Sequence, residues 1–198
     1  HLCDRRQRQM CIRDSYSEEW IKEAESRGLA HLPTTVDAMH CFISEKNISL
    51  FTRWGIYTER EMRSRYDISL ENYAKLIRIE ASTMLSMAQR SILPAVIGYE
   101  SKIAEAVSAK DRLGVPNDAE YALLKGLSAG VNALHKRIGG LFDAIATMPK
   151  GNGEAAEYCR DKLLPAMGSL REAADALETI TAKEYWPFPG YEDLLFNL

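Results

Sequence analysis

Histidine, cysteine and acidic side chains that stand close together are the first places to look for chemistry in this sequence. Asp37 and His40 form a carboxylate-x-x-histidine pair, the spacing with which helical bundles hold di-iron centres. Such centres need a second pair on a facing helix, and the sequence contains none. His40 and Cys41 are adjacent, and adjacent helical residues point about 100° apart, which makes them a poor chelate. We therefore interpret Asp37 and His40 as a helix-surface pair and predict no metal ligands.

Phosphate-binding and nucleophilic motifs are equally weak. Gly139-Gly140 lacks the flanking glycine and lysine of a phosphate-binding loop, and we expect it to allow a close helix approach or a local bend. The "GNG" at 151–153 is typical of a turn. No G-x-S-x-G motif occurs, no cysteine has an obvious histidine partner, and His135 is interpreted as a solvated helix residue. The sequence therefore predicts no catalytic and no cofactor-binding residue.

Composition narrows the class of protein. The chain has 198 residues, 46% hydrophobic and 27% charged residues, and a formal charge of −3. This balance is typical of a soluble globular protein, and it argues against nucleic-acid binding because no excess of lysine and arginine is present. The longest uncharged stretches are too short to span a membrane. The four cysteines, at positions 3, 11, 41 and 159, form no CxxC pair, which favours reduced thiols in the cytoplasm.

Residues 1–15, "HLCDRRQRQMCIRDS", are treated separately. They have no apolar core, so they are not a signal peptide. The run "QRQMCIRDS" resembles a translated sequencing adapter, and we expect the segment to be non-native. A disordered basic arm is the alternative. Residues 16–198 contain 21 basic against 26 acidic residues, because residues 1–15 hold four arginines and two aspartates.

Residues 16–57 are predicted to form short helices. Ser17 is the expected N-cap of the first, and Gly28 is expected to end it. One or two further helices are predicted before Gly55. Their expected buried side consists of Ala38, Cys41, Phe42, Leu50, Phe51 and Trp54.

Residues 58–183 are predicted to form a helical bundle. Thr58 and Glu61 make a capping box at the start of a helix that continues to about Gly114, with a kink at Pro94. Its expected buried positions are Leu70, Tyr73, Ile77, Met84, Ala88, Ala95, Tyr99, Ile103 and Ala106. The next helix has a heptad seam, which requires helices packed alongside: Leu124, Leu127, Val131, Leu134, Ile138, Leu141, Ile145 and Met148. A third helix, kinked at Pro165, shows the same spacing at Leu163, Ala166, Leu170, Ala173, Leu177 and Ile180.

Residues 184–198 differ in character from the bundle. Two prolines prevent a regular helix, and the large apolar side chains are predicted to be docked in a groove of this chain, of another domain or of a neighbouring subunit. The predicted docking residues are Tyr185, Trp186, Pro187, Phe188, Pro189, Tyr191, Leu194, Leu195 and Phe196. The predicted fold class is all-α. It is an elongated antiparallel bundle of three long helices, preceded by short helices and followed by an extended aromatic and proline-rich tail.

Several motifs together resemble the C-terminal part of glutamine synthetase type III. In order along the chain they are "YSEEWIKEAESRGL", "TTVDAM", "ISEKNISLFTRWGIYTEREMRSRYDISLENYAKLIRIEASTMLSMAQRSILPAV", "YCRDKLLPAMGSLREAADALE" and "YWPFPGYEDLLFNL". The likeness extends from Tyr16 to Leu198 and is looser between Ser101 and Asn152.

The resemblance implies a parent enzyme that joins ammonia to glutamate with ATP and Mg or Mn. It also implies stacked hexameric rings, so homo-oligomerisation is expected. In that family the catalytic and metal-binding residues lie upstream, on a β-rich domain, and no position of this chain matches their motifs. The chain is therefore expected to be a fragment that contributes structure and assembly without catalytic groups. Residues 16–57 would join it to the catalytic domain.

Two alternatives stay open at this point. A stand-alone helical adaptor would bind a protein partner through the heptad seam and the tail. A metal-using bundle enzyme is less well supported, because paired carboxylate and histidine ligands are missing.

Overall fold

The computed structural model describes residues 18–195, and all regular elements in that range are helical. The all-α class predicted from the sequence is confirmed. The described residues divide into two compact units, which meet in sequence between Tyr66 and Asp67. No helix of the described range is both long and apolar enough to cross a membrane.

The first unit contains three short helices, α1 (Glu18–Ser26), α2 (Thr35–Phe42) and α3 (Glu45–Arg53). Glycines in the left-handed conformation follow two of them, Gly28 with φ 76° and Gly55 with φ 65°. An L side chain rarely adopts such angles, so these glycines end α1 and α3 as the sequence predicts. The predicted cap Ser17 lies outside the described residues.

The predicted buried side of α2 and α3 is largely wrong. The structure buries Val36 of α2 and no residue of α3, while Trp54, at the end of α3, is 70% exposed. Ala38, Cys41 and Leu50 are also exposed. Phe42 and Phe51 are half-buried, with their ring centroids 6.3 Å apart. A helix of two turns has few neighbours in a small unit, so apolar spacing alone did not lead to burial here.

The first long helix begins with the predicted capping box. The backbone N–H of Thr58 donates to the Glu61 carboxylate at 2.8 Å, and the Glu61 N–H donates to Thr58 Oγ1 at 3.3 Å. These bonds satisfy two amide groups that the helix itself cannot pair. The helix then runs without a break through α4 (Glu59–Met87), a π-helical turn (Ala88–Ile92) and α5 (Leu93–Leu113).

Two further long helices complete the bundle. The second is α6 (Asp118–Ala146). The third consists of α7 (Asn152–Tyr158), a π-helical turn (Cys159–Leu163) and α8 (Leu164–Glu178). The connections between the long helices are only a few residues long, and α6 packs against both α5 and α8, which makes neighbouring helices antiparallel.

The heptad seam of α6 is confirmed as the centre of the bundle. Leu127, Leu134 and Leu141 are fully buried and Ile138 is 5% exposed, while Val131 and Ile145 pack against the same core. The seam is filled by helices of this chain. The buried residues that surround it are Ala74, Ala81, Ala88, Ile92, Val96, Ala155, Cys159, Leu163, Met167, Leu170, Ala174 and Leu177.

Both predicted kink sites contain a π turn directly before the proline. The Leu93 N–H bonds to the Ala88 carbonyl, and the Leu164 N–H bonds to the Cys159 carbonyl, five residues back in each case. A proline in an α-helix lacks the N–H for the carbonyl four residues earlier, and its ring crowds that carbonyl. Pro94 and Pro165 stand one residue after these bonds, and the wider turn accommodates them.

The first π turn corrects one predicted core position. Ala74, Ala81 and Ala88 are buried at intervals of seven residues, so an unbroken heptad would bury Ala95 next. The structure instead buries Val96 completely and leaves Ala95 half-buried. A π turn holds one residue more than an α turn, which rotates the following helix by one position.

The prediction that Gly139-Gly140 allows a close helix approach is also wrong. A Cβ added at either glycine would meet no atom within 4 Å. The close approach lies at Gly130, where a Cβ would stand 2.4 Å from Leu177 Cδ2. Gly130 therefore allows α6 and α8 to come together, because it has no side chain to keep them apart.

Candidate docking surface of the C-terminal segment

The residues first considered for chemistry make structural contacts. Thr34 is the N-cap of α2: its Oγ1 donates to Asp37 Oδ2 at 2.6 Å, and it accepts from the Asp37 N–H at 3.2 Å. His40 Nδ1 lies 3.3 Å from the hydroxyl of Tyr66. These contacts agree with the interpretation of Asp37 and His40 as a helix-surface pair.

The cysteines differ in environment. Cys41 is exposed, whereas Cys159 is fully buried in the bundle core, and burial raises the pKa of the Cys159 thiol. A raised pKa keeps the sulfur protonated, and a thiol in that state is a weak nucleophile and a weak metal ligand. Within residues 18–195, no three His, Cys, Asp or Glu side chains come together to hold a metal ion.

The first half of the C-terminal segment packs on the bundle. Trp186 and Phe188 are half-buried against the hydrophobic core. The ring of Tyr185 lies 5.0 Å, centroid to centroid, from the ring of Tyr99 on α5, at an angle of 43°. Pro187 and Pro189 are exposed. Aromatic side chains that pack in this way stabilise the segment because each removes a large apolar area from water.

The second half of the segment has a different environment. It forms α9 (Tyr191–Leu195), in which Leu194 is 67% and Leu195 71% exposed. The structure describes no side-chain environment for Tyr191, and Phe196 lies outside the described residues. Docking of the segment as a whole therefore stays a prediction.

Two polar contacts hold α9 in place. Asp193 accepts from Lys183 Nζ at 2.7 Å and from the Gly190 backbone N–H at 2.9 Å. The Lys183 ammonium group and then the Gly190 N–H lower the pKa of the Asp193 carboxyl, because both stabilise its charged form. The bridge joins two residues ten positions apart, one on each side of the aromatic residues Tyr185, Trp186 and Phe188.

Trp186 and Phe188 also line an apolar groove of about 560 Å³. Other apolar lining residues are Ile79, Met84 and Met87 of the first long helix and Met167, Leu170 and Ala174 of α8. Ile79 and Met87 are 62% and 42% exposed, so the groove opens to solvent along α4. Four charged side chains also line it: Glu80, Arg171, Asp175 and Glu178.

Sequence reasoning located the aromatic residues and missed what they contact. Tyr99 was expected in the core of the first helix, but no spacing in the sequence connects it to Tyr185, 86 positions away in the chain. The Lys183–Asp193 bridge has no motif either, since oppositely charged residues ten apart are common in any sequence. Both contacts depend on the direction in which the chain leaves α8.

Comparison with known proteins identifies the family of this arrangement. The sequence model of the family described as "Glutamine synthetase C-terminal domain" matches residues 8–111. The matched range includes all three short helices and most of the first long helix.

Curated relatives match over nearly the whole chain. A "Glutamine synthetase" of Butyrivibrio fibrisolvens is 35% identical over 192 residues, covering 93% of this chain and 27% of the relative. A "Type-3 glutamine synthetase" of Dictyostelium discoideum is 34% identical, covering 92% and 26%, and a "Glutamine synthetase" of Bacteroides fragilis is 26% identical, covering 93% and 26%. The chain thus spans about a quarter of the length of the curated relatives that it matches. It belongs to the glutamine synthetase family and corresponds to the C-terminal domain of that family, as its motifs predicted.

Proposed function

We propose that this chain is the C-terminal helical region of an ATP-dependent glutamate–ammonia ligase that acts in glutamine synthesis and nitrogen assimilation in the cytoplasm. Its role is structural: it supports the catalytic part of the polypeptide and its assembly, and it supplies no catalytic group. The observation that carries this proposal is the family match, together with relatives about four times as long as the chain. ATP and Mg or Mn are then bound by the upstream catalytic domain.

The C-terminal segment is the part that we assign to assembly into a homo-oligomer, stacked hexameric rings being the arrangement that the family resemblance implies. Its aromatic half, Tyr185, Trp186 and Phe188, packs on the bundle of its own chain. Its leucine half, Leu194 and Leu195, is exposed and directly follows Asp193, which pairs with Lys183. Apolar side chains fixed in an exposed position support an interface with a neighbouring subunit.

Activity measurements test the assignment of chemistry. The full-length protein is expected to form glutamine from glutamate, ammonia and ATP in the presence of Mg or Mn, and residues 16–198 alone are expected to form none. Glutamine formation by the purified fragment would refute the structural role.

Particle size tests the role in assembly. Replacing both Leu194 and Leu195 with glutamate in the full-length protein is expected to reduce the oligomer to smaller particles in native mass spectrometry. The isolated fragment should keep its melting temperature, because both side chains are already exposed. The double variant Trp186→Ala, Phe188→Ala is expected to reduce the oligomer and, unlike the leucine variant, also to lower the melting temperature of the isolated fragment, since these rings pack on the core. Tyr121→Ala, an exposed aromatic of α6, is the control. Unchanged particle size in the leucine variant would contradict the proposal.

The adaptor hypothesis is the second candidate. It relied on the heptad seam and the tail, but α5 and α8 of the same chain pack against the seam. The exposed leucines of α9 are the observation that still favours it. The genomic sequence upstream of the codon for Tyr16 separates the two. An open frame that encodes a catalytic domain supports the ligase, and a ribosome-binding site with a start codon supports the adaptor.

A further inference from the structure

The outward face of α3 is the most exposed apolar feature of the first unit. Leu50 and Trp54 stand four residues apart, so they lie on one side of the helix, and Ile56 comes two residues later, beyond the left-handed Gly55. Their side chains are 48%, 70% and 55% exposed. We call these three residues the α3 face. Large apolar side chains that are grouped and exposed are typical of an interaction site.

Contacts of the adjacent residue Phe51 fix the rotation of the helix about its axis. Phe51 packs between two rings, with its centroid 6.3 Å from Phe42 and 5.9 Å from Tyr57. The guanidinium of Arg65 lies 4.7 Å above the Tyr57 ring. Since Phe51 is held by this cluster, the neighbouring Leu50 points about 100° away from it.

The end of the helix is held as well. The Trp54 N–H donates to the Leu50 carbonyl at 3.2 Å, and the Ile56 N–H donates to the Phe51 carbonyl at 3.0 Å across the left-handed Gly55. The α3 face is therefore presented by an ordered backbone. A rigid apolar face loses little conformational entropy when a partner covers it.

We propose that, in the full-length protein, the α3 face is covered by an apolar patch of the same polypeptide that lies outside these 198 residues. This inference rests on the proposed function. The relatives contain about three quarters of their length outside the region matched here, so a large covalently attached partner is available. A tethered partner has an effective concentration in the millimolar range, which favours it over a separate molecule.

The first unit itself supports this choice of partner. Its described buried hydrophobic residues are Ala24, Val36 and Met62, two of them small, so it has little core of its own. The bundle, in contrast, has a continuous core around α6. Tryptophan at the centre of a patch is also the residue type most often found to dominate binding energy at interfaces.

Oxidative labelling of Trp54 tests the proposal. Hydroxyl radicals should oxidise Trp54 at least about tenfold more slowly in the full-length protein than in the 198-residue chain, with the modified peptides quantified by mass spectrometry. Equal labelling in the two forms would overturn the proposal. Protection in the 198-residue chain that increases with concentration would assign the α3 face to a second copy instead, and would also overturn it.

A photo-crosslinking residue at position 54 of the full-length protein identifies the partner. Crosslinks are expected within one polypeptide, to residues upstream of this chain, without doubling of the subunit mass on a denaturing gel. A doubled mass, or crosslinks only to residues 18–195, would contradict the proposal. The glutamine assay of the same protein tests the proposed function separately, because an active enzyme with an exposed Trp54 would retain the function and lose this inference.

Charge variants provide the matched control. Trp54→Glu is expected to lower the melting temperature of the full-length protein by several degrees and to leave that of the 198-residue chain unchanged. Ser49→Glu introduces the same charge on the same helix, one residue before Leu50 and away from the α3 face, and should have little effect in either form. An equal change in the melting temperature of both proteins on Trp54→Glu would show that Trp54 contributes to stability only through contacts within the first unit.

Discussion

Helices α3 and α6 have the same kind of amphipathic sequence and opposite surroundings. The apolar positions of α6 form a seam that α5 and α8 of the same chain bury, whereas α3 buries none of its residues. Apolar spacing therefore indicates which side of a helix needs to be covered, but not which molecule covers it. For α6 the covering helices are α5 and α8 of this chain, whereas for α3 we propose a partner elsewhere in the polypeptide.

Truncation of one leucine in each helix gives the largest expected contrast. Leu134→Ala removes a fully buried side chain from the seam and is expected to lower the free energy of unfolding of the 198-residue chain by about 2–5 kcal/mol. Leu50→Ala in α3 should change it by less than about 0.5 kcal/mol, because the side chain is exposed. Denaturant unfolding followed by circular dichroism measures both. Similar losses would show that α3 is covered within this chain.

Glycine substitutions in α6 are expected to differ in sign. Gly130→Ala would place a Cβ against the buried Leu177, and the overpacking cost of about 1–3 kcal/mol should exceed the roughly 1 kcal/mol gain in helix propensity. Gly140→Ala meets no atom within 4 Å and should stabilise the chain by about 0.5–1 kcal/mol. Thermal unfolding of the two variants checks this, and stabilisation by both would show that α6 and α8 do not depend on close contact at Gly130.

The smallest expected contrast is between the first turns of α4 and α3, and this contrast depends on pH. The hydrogen bonds from Thr58 lower the pKa of Glu61 below its ordinary value of 4.5. A lowered pKa in the folded state stabilises the fold above pH 4.5, and this contribution is lost as the pH falls below that value. Glu61→Gln should therefore reduce the loss of stability between pH 6 and pH 3.

Glu45→Gln is the control for this measurement. Glu45 occupies the first turn of α3, where the Ser44 cap makes no side-chain hydrogen bond. Its replacement should change the pH dependence less than Glu61→Gln does. Chemical denaturation at several pH values follows both variants, and the opposite order would rule out the capping box as the source of the effect.

The long helices could be predicted from the sequence because their signals are local. The alternating three- and four-residue steps of α6, the Thr58–Glu61 pair and Pro94 each act within one or two turns of helix. Burial was harder to predict where small residues are involved. Ala74 and Ala81 are more buried than the larger Tyr73 and Ile77, because the facing helix approaches closest where side chains are small.

The docking surface could be predicted only in part. Aromatic residues between prolines indicated that the C-terminal segment needs a surface to cover it. The contact of Tyr185 with Tyr99 and the bridge of Lys183 to Asp193 depend on tertiary geometry, for which the sequence has no local signal. The proposed partner, the rest of the polypeptide, comes from the family match and the length of the relatives and not from the residues of this chain.

The paired π turns have a consequence for how such helices tolerate insertions and deletions. Each holds one surplus residue before a Leu-Pro-Ala sequence, at Leu93–Ala95 and again at Leu164–Ala166. Losing one residue there would convert the wide turn into an ordinary one while both flanking segments kept their interior sides. A single-position gap in homologous sequences at either place would therefore keep both interior sides in register, at the cost of crowding the proline against the preceding turn, whereas the same gap in the middle of α6 would turn half of its seam towards water.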